Sequence, residues 1–482
     1  MIDLKNLTIE KAHNGFKNGD FSCRELLEEY LKVIKEKNEE LNAYLEVYKD
    51  ALEQANIAQE KFTDNTATIL TGIPFAIKDN ILFKEHIASA GSKILENYTA
   101  AYDSTVIKEL KKCGAVLVGR TNMDEFAMGS STQTSAFGVT KNPYDITRVP
   151  GGSSGGSAVA VAADMALVSL GTETCGSVRE PAAFCGLVGL KPTYGAVSRE
   201  GIIAMGNSLD QVSPFSKTVR DVEIVFNMLS KHDPLDSTSV PEVLRNSKVK
   251  KQNPLGYSHT GEAKKIGVPW HLFKEGVEIE VQENFRQSLK KLKNSGYEIM
   301  DIELPYSKYS LATYYIIMPA EVSTNLSRFD GMRYGFSAEG DNLSEVYKKS
   351  RQLGFGKEAR RRILLGTYVL SHGYYDAYYN KAIRVREKIK EEIMKTFEKV
   401  DYILTPTAPM IPFKLGEKLD DPVAMYLCDI FSAPANLSGV PSIALPSGIS
   451  KDGLPFSIQF MASHFNEDAL FHIGKDFELA MQ

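Results

Sequence analysis

GGSSGGSAVAVAADMALVSLGTETCGSVREPAAFCGLVGL, at residues 151–190, is the most informative stretch of this chain. It contains two apolar runs, at 158–163 and 166–170, set between segments rich in glycine, serine and threonine, and a third apolar run at 187–190. A flexible linker does not carry such runs, because apolar side chains stabilise a fold only when they are buried. The pattern predicts a loop, a helix, a strand, a loop and a strand, in that order.

The alternation of helix and strand continues upstream of this stretch. Ser22 and Glu25 form a capping box for a first helix, and a second, polar helix is predicted in the 50s. A strand over 69–78, a helix capped by Asp103 and a buried strand over 115–118 follow. Such alternation predicts an α/β fold, in which helices flank a mixed central sheet on both faces.

Downstream, the pattern predicts that the sheet is completed late in the chain. Long amphipathic stretches at 278–294 and 374–400 are typical of helices, and short apolar strands return at 401–404, 442–445 and 456–460. We expect a single large domain with five parts: helices over 1–65, a core over 66–230, a surface loop over 235–265, a mainly helical insertion over 275–400, and the last strands of the sheet over 401–482.

Composition and charge narrow the class of protein. The 482 residues include 56 Lys and Arg and 61 Asp and Glu, a net charge of −5, which argues against a protein that wraps nucleic acid by its own bulk charge. The basic cluster of Lys248, Lys250 and Lys251 is interpreted as a solvated face, with contact to RNA or a partner as the alternative. Neither a secretory signal nor a membrane-spanning run is recognisable, and five widely spaced cysteines fit a reduced, cytoplasmic protein.

Several kinds of site are excluded by their missing motifs. The sequence has no phosphate-binding GxxxxGK[ST] loop, no HExxH and no aspartate-rich calcium loop. The eight histidines are scattered, and no two cysteines have the CxxC spacing. We therefore expect neither a metal nor a cofactor on this chain.

Two hydroxyl-rich segments remain as candidates for chemistry. The first matches the nucleophile pattern G-x-S-x-G at both Ser153 and Ser154, but no buried strand precedes it and no histidine lies in a convincing loop downstream. One interpretation is a flexible turn. The other is a site for an anion or oxyanion, because free backbone N–H groups at the start of the following helix lie beside dense hydroxyls.

The second segment, 171–179, follows the strand predicted at 166–170 and so lies at the carboxyl end of a strand, where α/β folds place ligands. Ser177 could act there as a nucleophile inside its own oxyanion hole, but it lacks a nearby base. Lys78 closes the apolar strand predicted over 69–78. It either marks the end of that strand at the surface or is buried, in which case its lowered pKa would let it act as the base.

Together these segments resemble the amidase signature family. The matching segments are GIPFAIKD at 72–79, GGSSGGS at 151–157, GTETCGSVREP at 171–181 and CGLVGLKPT at 185–193. Others extend the likeness almost end to end to one branch of that family, the A subunits of glutamyl-tRNA(Gln)/aspartyl-tRNA(Asn) amidotransferases. They include TNMDEFAMGSS at 121–131, GFGKE at 354–358 and GYYDAYY at 373–379.

The resemblance implies roles for individual residues. Lys78, Ser153 and Ser177 would form a catalytic triad in which Ser177 is the nucleophile and Ser153 bridges it to Lys78, after a Gly152–Ser153 peptide bond expected to be cis. The oxyanion hole would be formed by four backbone N–H groups, those of Thr174, Cys175, Gly176 and Ser177. Three side chains would bind the substrate: Arg362 its carboxylate, Asp429 its ammonium group, and Tyr314, whose alignment could be shifted by one residue.

The resemblance also implies an activity and partners. The chain would be the glutaminase subunit of a heterotrimer with subunits B and C. Its ammonia would convert Glu-tRNA(Gln) to Gln-tRNA(Gln), or Asp-tRNA(Asn) to Asn-tRNA(Asn). ATP and Mg would be used on a partner subunit, which would also make most contacts with the tRNA. The alternatives are a stand-alone amidase for another small amide and a catalytically degenerate scaffold subunit.

Four positions depart from the family pattern. Cys175 stands where glycine is usual, Glu173 where aspartate is usual, Glu180 where glutamine is common and Gln133 where glutamate is frequent. Cys175 matters most, since it adjoins the oxyanion hole. If position 175 required a positive φ, a cysteine there would be strained by about 1 kcal/mol or more.

Overall fold

An eleven-stranded mixed sheet crosses the part of the chain that the computed structural model describes, which is residues 2–245, 264–273 and 276–481. Its strands, in chain order, are β1 Tyr44–Val47, β2 Pro74–Lys78, β3 Val116–Thr121, β4 Val168–Glu173, β5 Val188–Lys191, β6 Gln211–Ser216, β7 Lys265–Val268, β8 Glu298–Asp301, β9 Tyr402–Pro406, β10 Ser442–Ile449 and β11 Pro455–Met461.

The strands are ordered β1-β3-β2-β4-β6-β5-β10-β11-β9-β7-β8 across the sheet. β2 pairs in parallel with β3 and β4, and β7 pairs in parallel with β8 and β9. The remaining pairs are antiparallel. β2 and β4 are therefore neighbours whose carboxyl ends meet at one edge, which brings Lys78 next to the segment that follows Glu173.

Helices flank this sheet. They are α1 Ile9–Asn18, α2 Cys23–Leu41, α3 Ala51–Thr63, α4 Thr105–Lys112, α5 Gly155–Ala162, α6 Arg179–Phe184, α7 Val219–Leu229, α8 Ile279–Asn294, α9 Ser310–Asn325, α10 Leu343–Gly354, α11 Lys357–Val369, α12 Lys381–Thr396, α13 Pro422–Tyr426, α14 Ala433–Ser438 and α15 Glu467–Met481. The predicted class, an α/β fold with a mixed sheet flanked by helices, is confirmed.

Of the two predicted helix N-caps, the structure confirms one and contradicts the other. Ser22 and Glu25 form the predicted capping box at the start of α2. The predicted cap of α4 is wrong, because Ser104, not Asp103, accepts the hydrogen bond from the N–H of Ile107. Asp103 instead accepts the N–H of Lys84 and pairs with Lys111. Both residues are of types that cap helices well, so the sequence does not show which of them is the cap. Their contacts with distant residues determine it.

Two predicted elements are shorter than expected. β2 starts at Pro74, because Gly72 turns the chain with a φ of 78° before the strand begins. The helix predicted over 374–400 runs only from Lys381 to Thr396, and a wider π-helical turn, Tyr375–Asn380, precedes it. The predicted loop over 235–265 lies largely outside the described residues, as do Lys248, Lys250 and Lys251. Its first part is held by an ion pair of Asp236 with Arg199.

The core consists of two large apolar clusters. The first packs around the central strands and includes Phe75, Ile77 and Leu170, and the second includes Cys175 and Tyr314. Since Leu170 lies in β4 and Cys175 just beyond it, the end of β4 lies where the two clusters meet. Within the described ranges, no helix is both long and apolar enough to cross a membrane.

Candidate active site

Lys78 is buried at the carboxyl end of β2, with a relative exposure of 0%. Its Nζ lies 2.8 Å from Ser153 Oγ and 2.7 Å from Ser154 Oγ. It also lies 3.0 Å from Thr172 Oγ1 and 3.2 Å from the Thr172 carbonyl oxygen. The interpretation of Lys78 as a strand end at the surface is therefore wrong. Its amine is enclosed by hydroxyl and carbonyl groups.

The environment of Lys78 favours the neutral amine. Burial lowers its pKa from the usual value of 10.5 to about 7, because the ammonium form loses its hydration inside the protein. The more distant carboxylates of Asp124, Asp210 and Glu173 oppose this shift. A substantial fraction of Lys78 is thus unprotonated near neutral pH, as a general base must be.

Ser153 is held in place by the loop that follows β3. The Gly152–Ser153 peptide bond is cis, as predicted. The carbonyl oxygen of Ser153 accepts the N–H of Asp124 at 3.1 Å. Only glycine fits before it, because a Cβ on Gly152 would lie 2.1 Å from Asp124 Oδ2 and 2.4 Å from the Ser131 nitrogen. The backbone at Ser153 is therefore fixed by close packing.

Ser154 is a second partner of Lys78, and no role of its own was predicted for it. Its Oγ donates to the Thr172 carbonyl oxygen at 3.1 Å, so its lone pairs face Lys78 Nζ. The second match to G-x-S-x-G, at Ser154, was the available signal. The N–H of Ser154 also donates to the carbonyl oxygen of Ser177 at 3.2 Å, which joins the 151–157 segment to the turn that carries Ser177.

Ser177 lies in the turn between β4 and α6 and is 4% exposed. Among the described residues its Oγ makes no hydrogen bond, so the hydroxyl is free to rotate. The sharp part of the turn is at Gly176, whose φ is 76°, and Cys175 is not among the residues with a positive φ. The conformational strain considered for Cys175 is therefore absent.

Cys175 is packed into the second apolar cluster. Its Sγ lies 3.7 Å from Ser432 Oγ, and burial raises the pKa of the thiol well above its usual value. A buried thiol with a raised pKa is a poor nucleophile, because the thiolate is the reactive form. Cys175 therefore contributes packing and its backbone N–H group to this turn.

Glu173 organises the turn from within. Its carboxylate accepts the N–H groups of Gly176, Val178 and Arg179 at 3.1, 3.2 and 3.1 Å, and it pairs with the Arg179 guanidinium at 2.5 Å. Burial alone would raise the pKa of Glu173, but the charge and hydrogen bonds of Arg179 lower it below its usual value. Since Gly176 donates to Glu173, three of the four predicted oxyanion donors have no acceptor within the described ranges, namely the N–H groups of Thr174, Cys175 and Ser177.

Replacing Glu173 with alanine is expected to lower the free energy of unfolding by about 3–5 kcal/mol, because the variant leaves the Arg179 charge buried without its carboxylate. The measurement is the midpoint of denaturant unfolding, with the exposed Glu398→Ala as the matched control. A Glu173→Ala midpoint equal to that of the control would show that other groups hold the turn.

Arg362 and Asp429 lie on either side of Tyr315. The Tyr315 hydroxyl donates to Asp429 Oδ2 at 2.8 Å. The Arg362 guanidinium lies 4.9 Å from the ring centroid of Tyr315 and 4.7 Å from that of Tyr426, and its Nε donates to Glu358 at 2.6 Å. Tyr315, the neighbour of the predicted Tyr314, is thus the tyrosine that contacts both charged side chains. Tyr314 packs edge-on against it.

Asp429 approaches the turn that carries Ser177. A Cβ on Gly176 would lie 2.8 Å from Asp429 Oδ1, and this oxygen is buried without a hydrogen-bond partner in the part of the chain that the structure describes. Burial raises the pKa of Asp429 to about 7, against the hydrogen bond from Tyr315 and the charge of Arg362. A buried carboxylate oxygen with no partner is suited to receive a cationic group of a ligand.

A cavity of about 300 Å³ opens beside Arg362. Its lining includes Arg362, Tyr426, Ser131 and Gln133, and two polar atoms of that lining, Ser131 Oγ and Gln133 Nε2, are also buried without partners. The volume and the few convergent polar groups are typical of a small-molecule site.

Glu180 lies behind the turn, and both of its carboxyl oxygens are buried without hydrogen-bond partners among the residues described. Burial, together with the charge of Asp429, raises its pKa well above its usual value. Burial thus favours the neutral form of Glu180, which is close in shape to the glutamine that the family pattern favours. No group of three or more His, Cys, Asp and Glu in the described ranges is arranged to hold a metal.

Known proteins resemble this chain along nearly its whole length. The family model described as Amidase matches residues 25–471. The A subunit of glutamyl-tRNA(Gln) amidotransferase from Thermoanaerobacter pseudethanolicus is 47% identical over 482 residues, which cover 99% of this chain and 97% of that protein. The protein of the same name from Thermodesulfovibrio yellowstonii is 50% identical over 421 residues, which cover 87% and 86%.

The crystal structure of the A subunit of glutamyl-tRNA(Gln) amidotransferase from Thermotoga maritima has a TM-score of 0.79 to this chain and 39% sequence identity, and the match covers 99% of this chain and 95% of that one. The buried lysine, the two serine segments and the similarity along nearly the whole chain all indicate the same family. The chain belongs to the amidase family.

Proposed function

We propose that this chain hydrolyses the side-chain amide of glutamine and supplies the ammonia to a tRNA-dependent amidotransferase. The observation that carries the proposal is the buried amine of Lys78, which has a pKa near 7 and a hydrogen bond to Ser153. The backbone next to Ser153 is in turn hydrogen-bonded to the carbonyl oxygen of Ser177. The relatives named as the A subunit of such enzymes, similar along nearly the full chain, give the substrate class.

The neutral amine of Lys78 has two N–H groups and one lone pair. The N–H groups can donate to Ser154 Oγ and to the carbonyl oxygen of Thr172, which leaves the lone pair for the Ser153 hydroxyl. Ser154 and Thr172 thereby orient the base. Lys78 takes the proton of Ser153 as Ser153 takes the proton of Ser177.

The Ser177 oxygen then attacks the amide carbon of glutamine. The carbonyl oxygen becomes an oxyanion, which the free N–H groups of Thr174, Cys175 and Ser177 stabilise. Gly176 joins them only if its N–H leaves Glu173. The C–N bond breaks as Ser153 returns a proton to the leaving nitrogen, which departs as ammonia. Water, deprotonated by the same relay, hydrolyses the glutamyl ester and releases glutamate.

Arg362, which lines the cavity, and Asp429, which is linked to it through Tyr315, suit an amino-acid zwitterion. Arg362 would pair with the α-carboxylate of glutamine, and the free Oδ1 of Asp429 would accept from its ammonium group. Glu358 and the rings of Tyr315 and Tyr426 hold the guanidinium in one orientation. An amide without these charges would leave Asp429 Oδ1 without a partner and would make no ion pair with Arg362, which disfavours its binding.

The ammonia would pass to a partner in a complex with subunits B and C. There, ATP and Mg would activate Glu-tRNA(Gln), or Asp-tRNA(Asn), for amide formation in the cytoplasm. This division of labour fits the net charge of −5, since the partner would make most of the contacts with tRNA.

The test measures ammonia release by the chain alone and in complex with its partner subunits, first from glutamine and then from acetamide. We expect release from glutamine by the complex and little from acetamide. Turnover of acetamide by the chain alone would instead indicate a stand-alone amidase. No turnover of either amide by the complex would indicate a degenerate scaffold subunit.

A further inference from the structure

Asp124 and Glu125, two adjacent acidic residues after β3, connect the two halves of the active site. Asp124 faces the relay. Its carboxylate accepts the N–H groups of Ser131, Thr132 and Thr134 at 3.2, 2.8 and 3.1 Å, which closes the loop into a rigid turn. Its own N–H donates to the carbonyl oxygen of Ser153. The position of this loop therefore sets the position of Ser153.

Glu125 faces the opposite way, toward helix α11. Its Oε2 and Oε1 accept the N–H of Gly356 at 2.9 and 3.1 Å, and Oε1 accepts the hydroxyl of Ser92 at 2.5 Å. Gly356 is the residue that caps α11, and no side chain of its own caps that helix. The cap comes from a residue 231 positions earlier in the chain.

The approach of Glu125 to α11 is close. A Cβ on Gly356 would lie 2.5 Å from Glu125 Oε2, so a larger residue there would displace the carboxylate. Glu125 is almost fully buried, and burial raises its pKa to about 7 against the hydrogen bonds from Ser92 and Gly356 and the charge of Arg360. The partial positive charge at a helix N-terminus stabilises the carboxylate form.

Helix α11 carries the candidate substrate clamp. Glu358 and Arg362 lie one turn apart on it and are bonded to each other. Glu125, Glu358 and Arg362 also line the same cavity. A shift of the first turn of α11 would move the guanidinium without moving Lys78 or Ser177, because those residues lie in β2 and in the turn after β4.

We propose that Glu125 is a positioning residue that sets the distance between the Lys78–Ser153 relay and the Arg362 guanidinium. It does so by capping α11 from a loop that is itself hydrogen-bonded to Ser153 through Asp124. The inference rests on the proposed function, because it assigns the α-carboxylate of the substrate to Arg362. It predicts an effect on the binding of that carboxylate and not on the chemistry at the amide.

The test compares Glu125→Ala and Glu125→Gln in the complex with partner subunits, with the exposed Glu96→Gln as the matched control. The substrates are glutamine and 4-aminobutanamide, which is glutamine without its α-carboxylate. We expect Glu125→Ala to raise KM for glutamine roughly tenfold, the size of a lost helix cap, with kcat close to that of the unaltered protein. Glu125→Gln keeps one acceptor oxygen and should raise KM less. For 4-aminobutanamide, kcat/KM should not change in either variant.

Hydrogen exchange gives a second measurement that needs no activity. The N–H of Gly356 and the first turn of α11 should exchange faster in Glu125→Ala than in Glu96→Gln, while residues 151–157 exchange equally in both. Unchanged exchange, an unchanged KM for glutamine, or an equal loss with both amides would overturn the inference. If the Glu125→Ala variant shows faster exchange at the start of α11 but the unaltered complex releases no ammonia from glutamine, Glu125 caps the helix and the proposed function is wrong.

Discussion

Lys78→Met is expected to reduce glutamine hydrolysis by about 10²–10⁴-fold, the range typical for loss of a general base. Methionine fills the volume of the buried side chain without a proton acceptor, so the fold should be kept. Ammonia release by the complex is the measurement, and a kcat within the range of the unaltered protein would remove Lys78 from the mechanism.

Lys191 offers a matched control for Lys78. It is also fully buried, and burial lowers its pKa to about 7, but its Nζ donates to the carbonyl oxygen of Pro192 and contacts no serine hydroxyl. Lys191→Met should therefore retain hydrolysis. Comparing the two variants separates the loss of a buried lysine from the loss of a base next to Ser153.

The same pKa gives the direction of the pH dependence. Only neutral Lys78 can accept a proton, and its pKa in the folded protein is about 7. The rate should therefore rise about tenfold per pH unit below pH 7 and level off above it. The unfolded chain, with the usual value of 10.5, binds this proton between pH 7 and 10.5 while the folded chain does not, so Lys78 makes the fold less stable as pH falls through that range.

Ser177→Ala is expected to have the largest effect, a fall in kcat of about 10⁶-fold, the size found when a serine nucleophile is removed from a triad. The variant should also lose covalent labelling by a fluorophosphonate, which reacts with activated serine hydroxyls. Its unfolding midpoint should not change, since the Ser177 hydroxyl makes no hydrogen bond among the described residues.

Ser213→Ala is the matched control for that experiment. Ser213 lies in β6, and its hydroxyl is buried without a partner, so its removal should alter neither labelling nor hydrolysis. Hydrolysis or labelling retained in Ser177→Ala would mean that another hydroxyl, with Ser154 as the nearest candidate beside Lys78, is the nucleophile.

The sequence predicted the elements whose signals are local. The capping box of Ser22 and Glu25 and the alternation of apolar runs around 158–170 involve neighbours in the chain, so the pattern contains most of the information. Helix α6 was missed, because it has only six residues and includes Pro181. β1, β7 and β8 were missed as well. Each has four residues and lies near an edge of the sheet. Strands there are only partly buried, so their sequences show a weak alternation of apolar and polar residues.

The candidate site was predictable in part. Lys78 and Ser177 stood out as polar residues at the ends of apolar strands, but periodicity could not show whether Lys78 was buried. Lys78 is buried because β3 and β4 lie on either side of β2, and sequence periodicity does not reveal such long-range pairing. Arg362 and Asp429 lie far along the chain in helical segments, and only the family resemblance selected them. Tyr315 and Ser154 required coordinates, because neighbouring residues of the same type differ only in where their side chains point.

The position of β10 between β5 and β11 affects how the protein is made. β5 ends at Lys191 and β10 starts at Ser442, so 442 − 191 = 251 positions must be translated before β5 gains this neighbour, roughly 10–50 s at ordinary elongation rates. During that time the nascent chain already contains Lys78, Ser153 and Ser177 but not yet Asp429. The growing polypeptide thus exposes an unpaired strand edge that chaperones can recognise, and it acquires the residues proposed for substrate selection after those proposed for bond cleavage.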